Sequence, residues 1–152
     1  MDSFAVFLDP TTTKDNNHMT RINLVSPVEL SDQHLIAEYH ELPRVLKQNI
    51  NTTNAPKRYC LGKGHVKWAK SRSLFLHVRY LELVNEMLYR GFKVNYSWRE
   101  LIDGYPVKPS DDNFYISTKE DVALNKARLI EKYKLKPDWY KWTKRNKPEY
   151  YK

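Results

Sequence analysis

Thr20 and Glu41 are the two residues of this sequence whose chemistry matters most, provided that the working chain begins at Thr20. The α-amino group of such a chain has a reference pKa of about 7.7–8.0, against roughly 10.4 for lysine. Much more of it is therefore unprotonated at neutral pH, which suits a nucleophile that forms an imine. Met19 before a small threonine is compatible with such a start, although Met-Thr alone is a weak signal.

Glu41 is the candidate for moving the proton, and its neighbours leave several interpretations open. Arg44 lies one helical turn after Glu41. Glu41 is therefore either a catalytic carboxylate tuned by Arg44 or one half of a surface ion pair, and generic energetics favour the ion pair. His34, Glu38 and Glu41 also have a spacing that metal ligands use, although a solvated helix face explains them better. Cys60 is a second nucleophile candidate, but no residue in the pattern orients it, which favours an inert thiol.

A helix must position Glu41. Residues 26–29, Ser-Pro-Val-Glu, have the form of a capping box with proline at the first helical position. A helical wheel then separates two faces. The apolar stripe contains Leu35, Tyr39, Leu42 and Leu46. The polar side contains Gln33, Ala37, His40, Glu41 and Arg44. Pro43 removes one backbone donor and predicts a kink near Glu41.

Two further helices complete the predicted all-α fold, a single compact domain of about three main helices with irregular connections. The second runs from about residue 65 to 90, with Gly91 as its stop. Its predicted core face contains Leu74, Val78, Leu81 and Leu88. Residues 92–116 read as an irregular connection. The last helix starts from a capping box at residues 117–120 and runs to about 134, with Arg128 and Lys132 together on its outer side.

The charge distribution favours a polyanionic partner. The net charge is +8, and ten lysines or arginines fall within residues 126–152, so nucleic acid is favoured over a membrane surface. An aromatic-basic tail follows Pro137, in which Lys141 and Lys144 are interpreted as DNA contacts and the Trp139 region as structural. With one cysteine and no apolar run of membrane-spanning length, a soluble, intracellular monomer is expected.

Six sequence blocks together resemble the pyrimidine-dimer DNA glycosylase/AP-lyase family, typified by the endonuclease V of T-even bacteriophages. They are MTRINLV from Met19, ELSDQHLIAEYHELPRV, LGKGHV, the predicted long helix ending in RGF at 90–92, ARLIEK and KPDWYKW. The resemblance covers nearly all of residues 19–152 and weakens at 46–58 and 93–120. It implies a helical repair enzyme, without metal or organic cofactor, that acts on double-stranded DNA at cyclobutane pyrimidine dimers or abasic sites and expels a base opposite the lesion.

The resemblance also implies roles for individual residues. Thr20 matches the amine that attacks the anomeric carbon and forms an imine, after which β-elimination nicks the strand. Glu41 matches the glutamate that stabilises the cationic sugar and handles protons. Arg44 matches the arginine that orients this glutamate and contacts phosphate. Further matches to lesion, phosphate or polar positions are Arg21, Gln33, His34, Arg128 and Lys132.

Two departures from the family pattern stand out. His40 occupies the position of a DNA-contacting arginine, which predicts a weaker or pH-dependent phosphate contact. Residues 1–18 form an acidic N-terminal extension ahead of the domain at 19–152, and the family pattern has no place for it. With this extension attached, Thr20 has only an amide nitrogen. An internal start at Met19 is the preferred explanation, removal of the extension is the second, and a non-catalytic damaged-DNA-binding protein is the alternative function.

Overall fold

The computed structural model describes residues 21–109 and 113–152. Within them the chain forms five α-helices and two short 3-10 turns, at Pro27–Glu29 and Glu149–Tyr151. The helices are α1 (Asp32–Lys47), α2 (His65–Lys70), α3 (Ser73–Tyr89), α4 (Trp98–Gly104) and α5 (Lys119–Leu135). No strand occurs in these two ranges, so the expected all-α class is confirmed.

Helix α1 begins later than the capping box at residues 26–29 predicts. Ser26 caps only the 3-10 turn, where its side chain accepts the amide of Val28. Ser31 then caps α1 by accepting the amide of His34 at 3.1 Å. The predicted apolar stripe is confirmed, because its four residues, Leu35, Tyr39, Leu42 and Leu46, are all buried. Pro43 lies inside the helix, which continues for another turn.

The predicted long helix at 65–90 is in fact two helices, α2 and α3. Arg72 leaves the helical region with φ −115° and ψ 59°. The Ser71 hydroxyl donates to the Trp68 carbonyl at 2.6 Å. This carbonyl lies at the end of α2, where the helix itself leaves acceptors without a partner. The Arg72 guanidinium then donates to the Lys57 carbonyl at 2.8 Å. Side-chain bonds of this kind have no signature in apolar periodicity.

The predicted core face of α3 is wrong. The four residues assigned to it, Leu74, Val78, Leu81 and Leu88, are between 37% and 59% exposed. The buried apolar residues of α3 are Leu76, Tyr80, Leu83 and Met87. Both sets repeat at helical spacing, so periodicity cannot choose between them. The choice comes from α1, where the Tyr39 ring stacks on Tyr80 with centroids 5.7 Å apart.

Two smaller corrections concern the C-terminal half. Residues 92–116 are not wholly irregular, since α4 is capped by Ser97 and buries Leu101 completely. The capping box of α5 is formed by Thr118 and Asp121, one residue later than predicted. One buried core runs from Ile22 to Tyr151, so the described residues form a single compact domain, as expected.

Candidate active site and nucleic-acid interface

Glu41 lies between two arginines on the exposed side of α1. The Arg44 guanidinium donates to Glu41 Oε1 at 2.9 Å, and Arg21 Nε lies 3.6 Å from Glu41 Oε2. The Glu41 side chain is 19% exposed, so the carboxylate is accessible while its charge is balanced. Arg21 also reaches Gln48, just beyond the end of α1, at 3.4 Å. The predicted Glu41–Arg44 pair is therefore present, and Arg21 joins it from the N-terminal side.

Buried polar side chains hold the segment from Arg21 to Val25, which leads to this site. Asn125 on α5 accepts the amides of Leu24 and Val25 at 2.7 and 3.1 Å, and it donates to the Asn23 side chain. An extended segment has no backbone partners of its own, so each buried amide needs such an acceptor. Asn125 is fully buried, and the sequence gives no sign of its role.

His65 and Tyr59 hold the beginning of the same segment. His65 Nε2 accepts the amides of Arg21 and Ile22 at 3.2 and 3.1 Å. The Tyr59 hydroxyl donates to the Ile22 carbonyl at 2.9 Å. Thr20, the predicted nucleophile, lies outside the described residues, as do Met19 and the extension at 1–18.

The metal-site hypothesis built on His34, Glu38 and Glu41 is wrong. Glu38 is buried and accepts two hydrogen bonds from Arg79, at 2.7 and 2.9 Å, and one from Asn23 at 3.0 Å. A carboxylate committed in this way cannot turn toward the surface. Across residues 21–109 and 113–152, no three His, Cys, Asp or Glu side chains gather in a metal-binding arrangement.

The thiol of Cys60 is not set up as a nucleophile. Burial raises its pKa above the ordinary thiol value, which disfavours the reactive thiolate. The nearby His65 ring bonds to the Cys60 backbone carbonyl at 2.8 Å. This imidazole therefore contacts the main chain of Cys60, and the inert-thiol interpretation fits the geometry best.

A cavity of about 220 Å³ opens on the side of α1 that carries His40 and Arg44, so it shares Arg44 with the Glu41 site. Its lining combines aromatic rings, an amide and cations: Tyr39, His40, Pro43, Arg44, Lys47, Tyr80, Asn95 and Tyr96. The Tyr39 hydroxyl accepts the amides of Asn95 and Tyr96 at 3.0 and 3.2 Å, so the wall is fixed by hydrogen bonds. The ammonium of Lys47 lies 4.8 Å from the Tyr96 ring centroid. The cavity is large enough for a planar, polar group.

Gln33 and His34 serve the fold of the C-terminal tail. Gln33 is buried, and its side-chain oxygen accepts the Lys141 amide at 3.0 Å. His34 bonds to the Ser31 hydroxyl and stacks on Tyr140, with ring centroids 4.8 Å apart. Both residues were predicted as polar positions facing DNA, and the structure places them at the junction of α1 with the tail.

The remaining predicted DNA contacts lie in two regions. On α5, Arg128 pairs with Glu131 at 2.6 Å. Lys132 is buried, so the expectation that both lie on the outer side is wrong for Lys132. A helical wheel describes one helix and cannot include the neighbours that cover it. In the tail, Lys141 and Lys144 are exposed, and the Lys144 ammonium donates to the Tyr89 carbonyl at 3.1 Å.

A buried ionic network joins the tail to α1 and α3, and sequence reasoning missed it. Arg90 donates to Asp32 at 2.8 Å and to Glu86 at 2.7 Å, while Arg145 donates to both oxygens of Glu86 at 2.9 Å. Burial alone would raise the pKa of Glu86, but the hydrogen bonds from Arg145 and Arg90 lower it below its ordinary value. Asp32 also accepts the Thr143 amide and hydroxyl. The only hint in the sequence is an acidic residue four before an arginine at 86 and 90.

These features define a class: helical proteins that present one accessible carboxylate among cationic side chains on a surface suited to a polyanion. A model of the family described as pyrimidine dimer DNA glycosylase matches residues 19–100, more than half of the chain. The chain belongs to this family. It is accordingly a DNA glycosylase of DNA repair that binds UV-damaged DNA. None of the described helices combines the length and apolar character needed to cross a membrane.

Proposed function

We propose that the active chain begins at Thr20 and is a pyrimidine-dimer N-glycosylase with AP-lyase activity. The proposal is supported by one observation above all. The residues that follow Thr20 are anchored by buried side chains, and the Arg21 side chain reaches the accessible Glu41. A free amine on residue 20 would therefore belong to the residue bonded to Arg21, whose side chain lies beside Glu41. The match to the family also begins at residue 19.

The proposed chemistry uses the neutral Thr20 amine in two stages. The nitrogen attacks the anomeric carbon of the lesion sugar, the bond to the base breaks, and the base leaves with a proton. Ring opening gives a protonated imine between Thr20 and the sugar. Loss of the proton from the neighbouring C2′ then drives β-elimination, and the 3′ phosphate leaves. Glu41 is proposed to stabilise the cationic sugar and to carry these protons, which an accessible carboxylate can do.

Arg44 and Arg21 are proposed to orient the Glu41 carboxylate and to bind phosphates next to the lesion. A guanidinium donates several hydrogen bonds in one plane, so it can serve a carboxylate and a phosphate together. His40, Arg128, Lys141 and Lys144 remain proposed DNA contacts, whereas the buried Lys132 is no longer proposed as one. The cavity lined by His40 and Arg44 is proposed to accept the base expelled from opposite the lesion, since aromatic walls and polar edges suit a flipped base.

Borohydride trapping tests the amine mechanism directly. The chain beginning at Thr20 should become covalently linked to irradiated or abasic duplex DNA, and mass spectrometry should locate the link at the Thr20 nitrogen. The matched control is the chain beginning at Met1, which has the same residues 21–152 but no free amine at Thr20. A link at a lysine, or equal trapping by both chains, would rule out this mechanism.

A second function follows if residues 1–18 stay attached in the mature protein. Thr20 would then be a backbone amide, and the protein would bind damaged DNA without cutting it. Mass spectrometry of the native N-terminus separates the two forms. A native chain that starts at Met1 and binds irradiated DNA without nicking it would establish the binding function.

A further inference from the structure

The hydrogen bonds of His65 define which of its nitrogens carries the proton. Nδ1 lies 2.8 Å from the Cys60 carbonyl, which can only accept, so Nδ1 donates. Nε2 faces the amides of Arg21 and Ile22, which can only donate, so Nε2 carries the lone pair. The ring is therefore a neutral imidazole of one tautomer, and its acceptor holds two consecutive backbone amides.

The surroundings of His65 keep the ring in this orientation. It is 1% exposed, the Tyr59 ring meets it edge-on at 5.6 Å, and Trp68 stacks on it at 6.3 Å. Gly64 precedes it with φ of +93°, and a Cβ there would lie 3.2 Å from Pro56. The tight turn into α2 thus needs glycine. Several independent contacts determine where Nε2 points.

We propose that His65 is the positioning residue for the start of the working chain: its neutral Nε2 anchors Arg21 and Ile22, and protonation of that nitrogen releases them. A protonated Nε2 would direct an N–H at two other N–H groups, so the two hydrogen bonds would be replaced by repulsion. The consequence for catalysis rests on the proposed function of Thr20, whereas the release of the segment on protonation of His65 is independent of that function.

The charged and titratable groups around the ring favour the neutral form of His65. Burial lowers the pKa of His65, the Cys60 carbonyl raises it, and the positive charge of Arg21 lowers it again, with a net result below the ordinary value. From the preceding loop, the Tyr59 ring packs against His65 and the Cys60 carbonyl bonds to it. The Tyr59 hydroxyl and the Cys60 thiol both have raised pKa values, chiefly through burial. They are therefore neutral. α2 contributes the uncharged Trp68.

The sign of the pH dependence follows from this lowered pKa. A histidine held neutral in the folded state contributes its full stabilisation above its unfolded pKa of about 6.5. This contribution is lost progressively as the pH falls below that value toward the folded pKa. The segment should therefore be anchored at neutral pH and released on acidification.

Nuclear magnetic resonance of the 15N-labelled, 152-residue chain tests the anchor without any activity. At neutral pH the His65 ring should be the Nδ1–H tautomer. On acidification the amides of Arg21 and Ile22 should lose hydrogen-exchange protection in step with the His65 titration. His77 is the internal control, because it is also buried with a lowered pKa but bonds to the Tyr105 carbonyl. An Nε2–H tautomer, or amides that follow His77, would overturn the proposal.

Three variants of the chain beginning at Thr20 test the consequence for catalysis, and this chain retains the whole described core. His65→Leu removes the acceptor. It should slow single-turnover trapping on abasic duplex by about 100-fold, while Kd for a duplex with a reduced abasic site changes less than about threefold. His65→Gln offers an oxygen at the same reach. It should recover much of the rate and lose the acid inflection of the rate–pH profile.

His77→Leu is the matched control for removing a buried imidazole, and it should trap at nearly the wild-type rate. If His65→Leu and His77→Leu lower rate and binding alike, His65 has only a structural role and the proposal is wrong. Failure of the wild-type chain to trap at all would refute the proposed function instead. In that case the resonance titration still decides whether His65 anchors the segment.

Discussion

Glu38 and Glu41 lie three residues apart on α1, yet their surroundings assign them opposite tasks. The Glu38 side chain is 1% exposed, and all its hydrogen bonds go to buried partners on α3 and the N-terminal segment. The Glu41 side chain is 19% exposed, and its two arginines are themselves open to solvent. Glu38 therefore holds core elements together, whereas Glu41 remains accessible to another molecule. Residue type and helical spacing do not distinguish them.

Glu41→Gln should give the largest change in activity. It keeps the shape of the side chain but removes the charge and the proton acceptor, so nicking should fall by about 10²–10⁴-fold. Binding to a dimer-containing duplex should be retained. Gel-shift and single-turnover nicking assays on the chain beginning at Thr20 measure the two quantities.

Glu82→Gln is the control for Glu41→Gln, since Glu82 is an exposed glutamate on α3 and should tolerate the change. Loss of both binding and nicking in Glu41→Gln would assign Glu41 a structural role and erase the contrast with Glu38.

Glu38→Gln should give the largest change in stability. It leaves the buried Arg79 guanidinium without its counter-charge, which costs about 3–5 kcal/mol in comparable buried pairs. Urea unfolding followed by circular dichroism measures the loss. The double variant Glu38→Leu/Arg79→Met removes both charges and should be more stable than Glu38→Gln. A stable Glu38→Gln protein with lost nicking would reverse the roles of the two glutamates.

Arg44→Gln should have an intermediate effect. The pair with Glu41 is solvent-exposed, so screening limits its strength. Nicking should slow by about three- to tenfold, because Glu41 loses one partner and DNA loses one cation. Arg44→Lys restores the charge without the planar donors and should recover DNA affinity more than the nicking rate. Equal recovery of both would mean that Arg44 acts only through its charge.

His40→Arg should have the smallest effect, and it should be a gain. His40 lines the cavity beside Arg44 and Lys47, where a guanidinium would add a phosphate contact. Affinity for damaged duplex should rise a few-fold, and the slope of log K against log salt should steepen by about one. An unchanged slope would show that position 40 does not meet a phosphate.

The sequence predicts the helix that carries Glu38 and Glu41. It predicts much less well the contacts that give these two carboxylates different environments. The apolar stripe of α1 and the Glu41–Arg44 pair follow from periodicity, because both are local to one helix. The burial of Glu38 depends on Arg79, which is 41 positions away in the chain. The same limit explains the inverted core face of α3 and the buried Lys132. In each case the deciding contact is with another element.

The roles of polar core residues are the hardest to predict. His65 and Asn125 each hold two successive backbone amides of the N-terminal segment. Their partners are main-chain groups, which carry no residue signature. Only the folded path of residues 21–25 makes these acceptors necessary.

The single core that includes both Ile22 and Tyr151 has a consequence for synthesis of the protein. Arg145, through its pair with Glu86, and the buried Tyr151 bring residues far along the chain into contact with this core. The helices can form earlier, but we expect the core to close only after residues up to Tyr151 have left the ribosome. Protease protection of ribosome-arrested chains would measure this. Full protection before the tail emerges would contradict it.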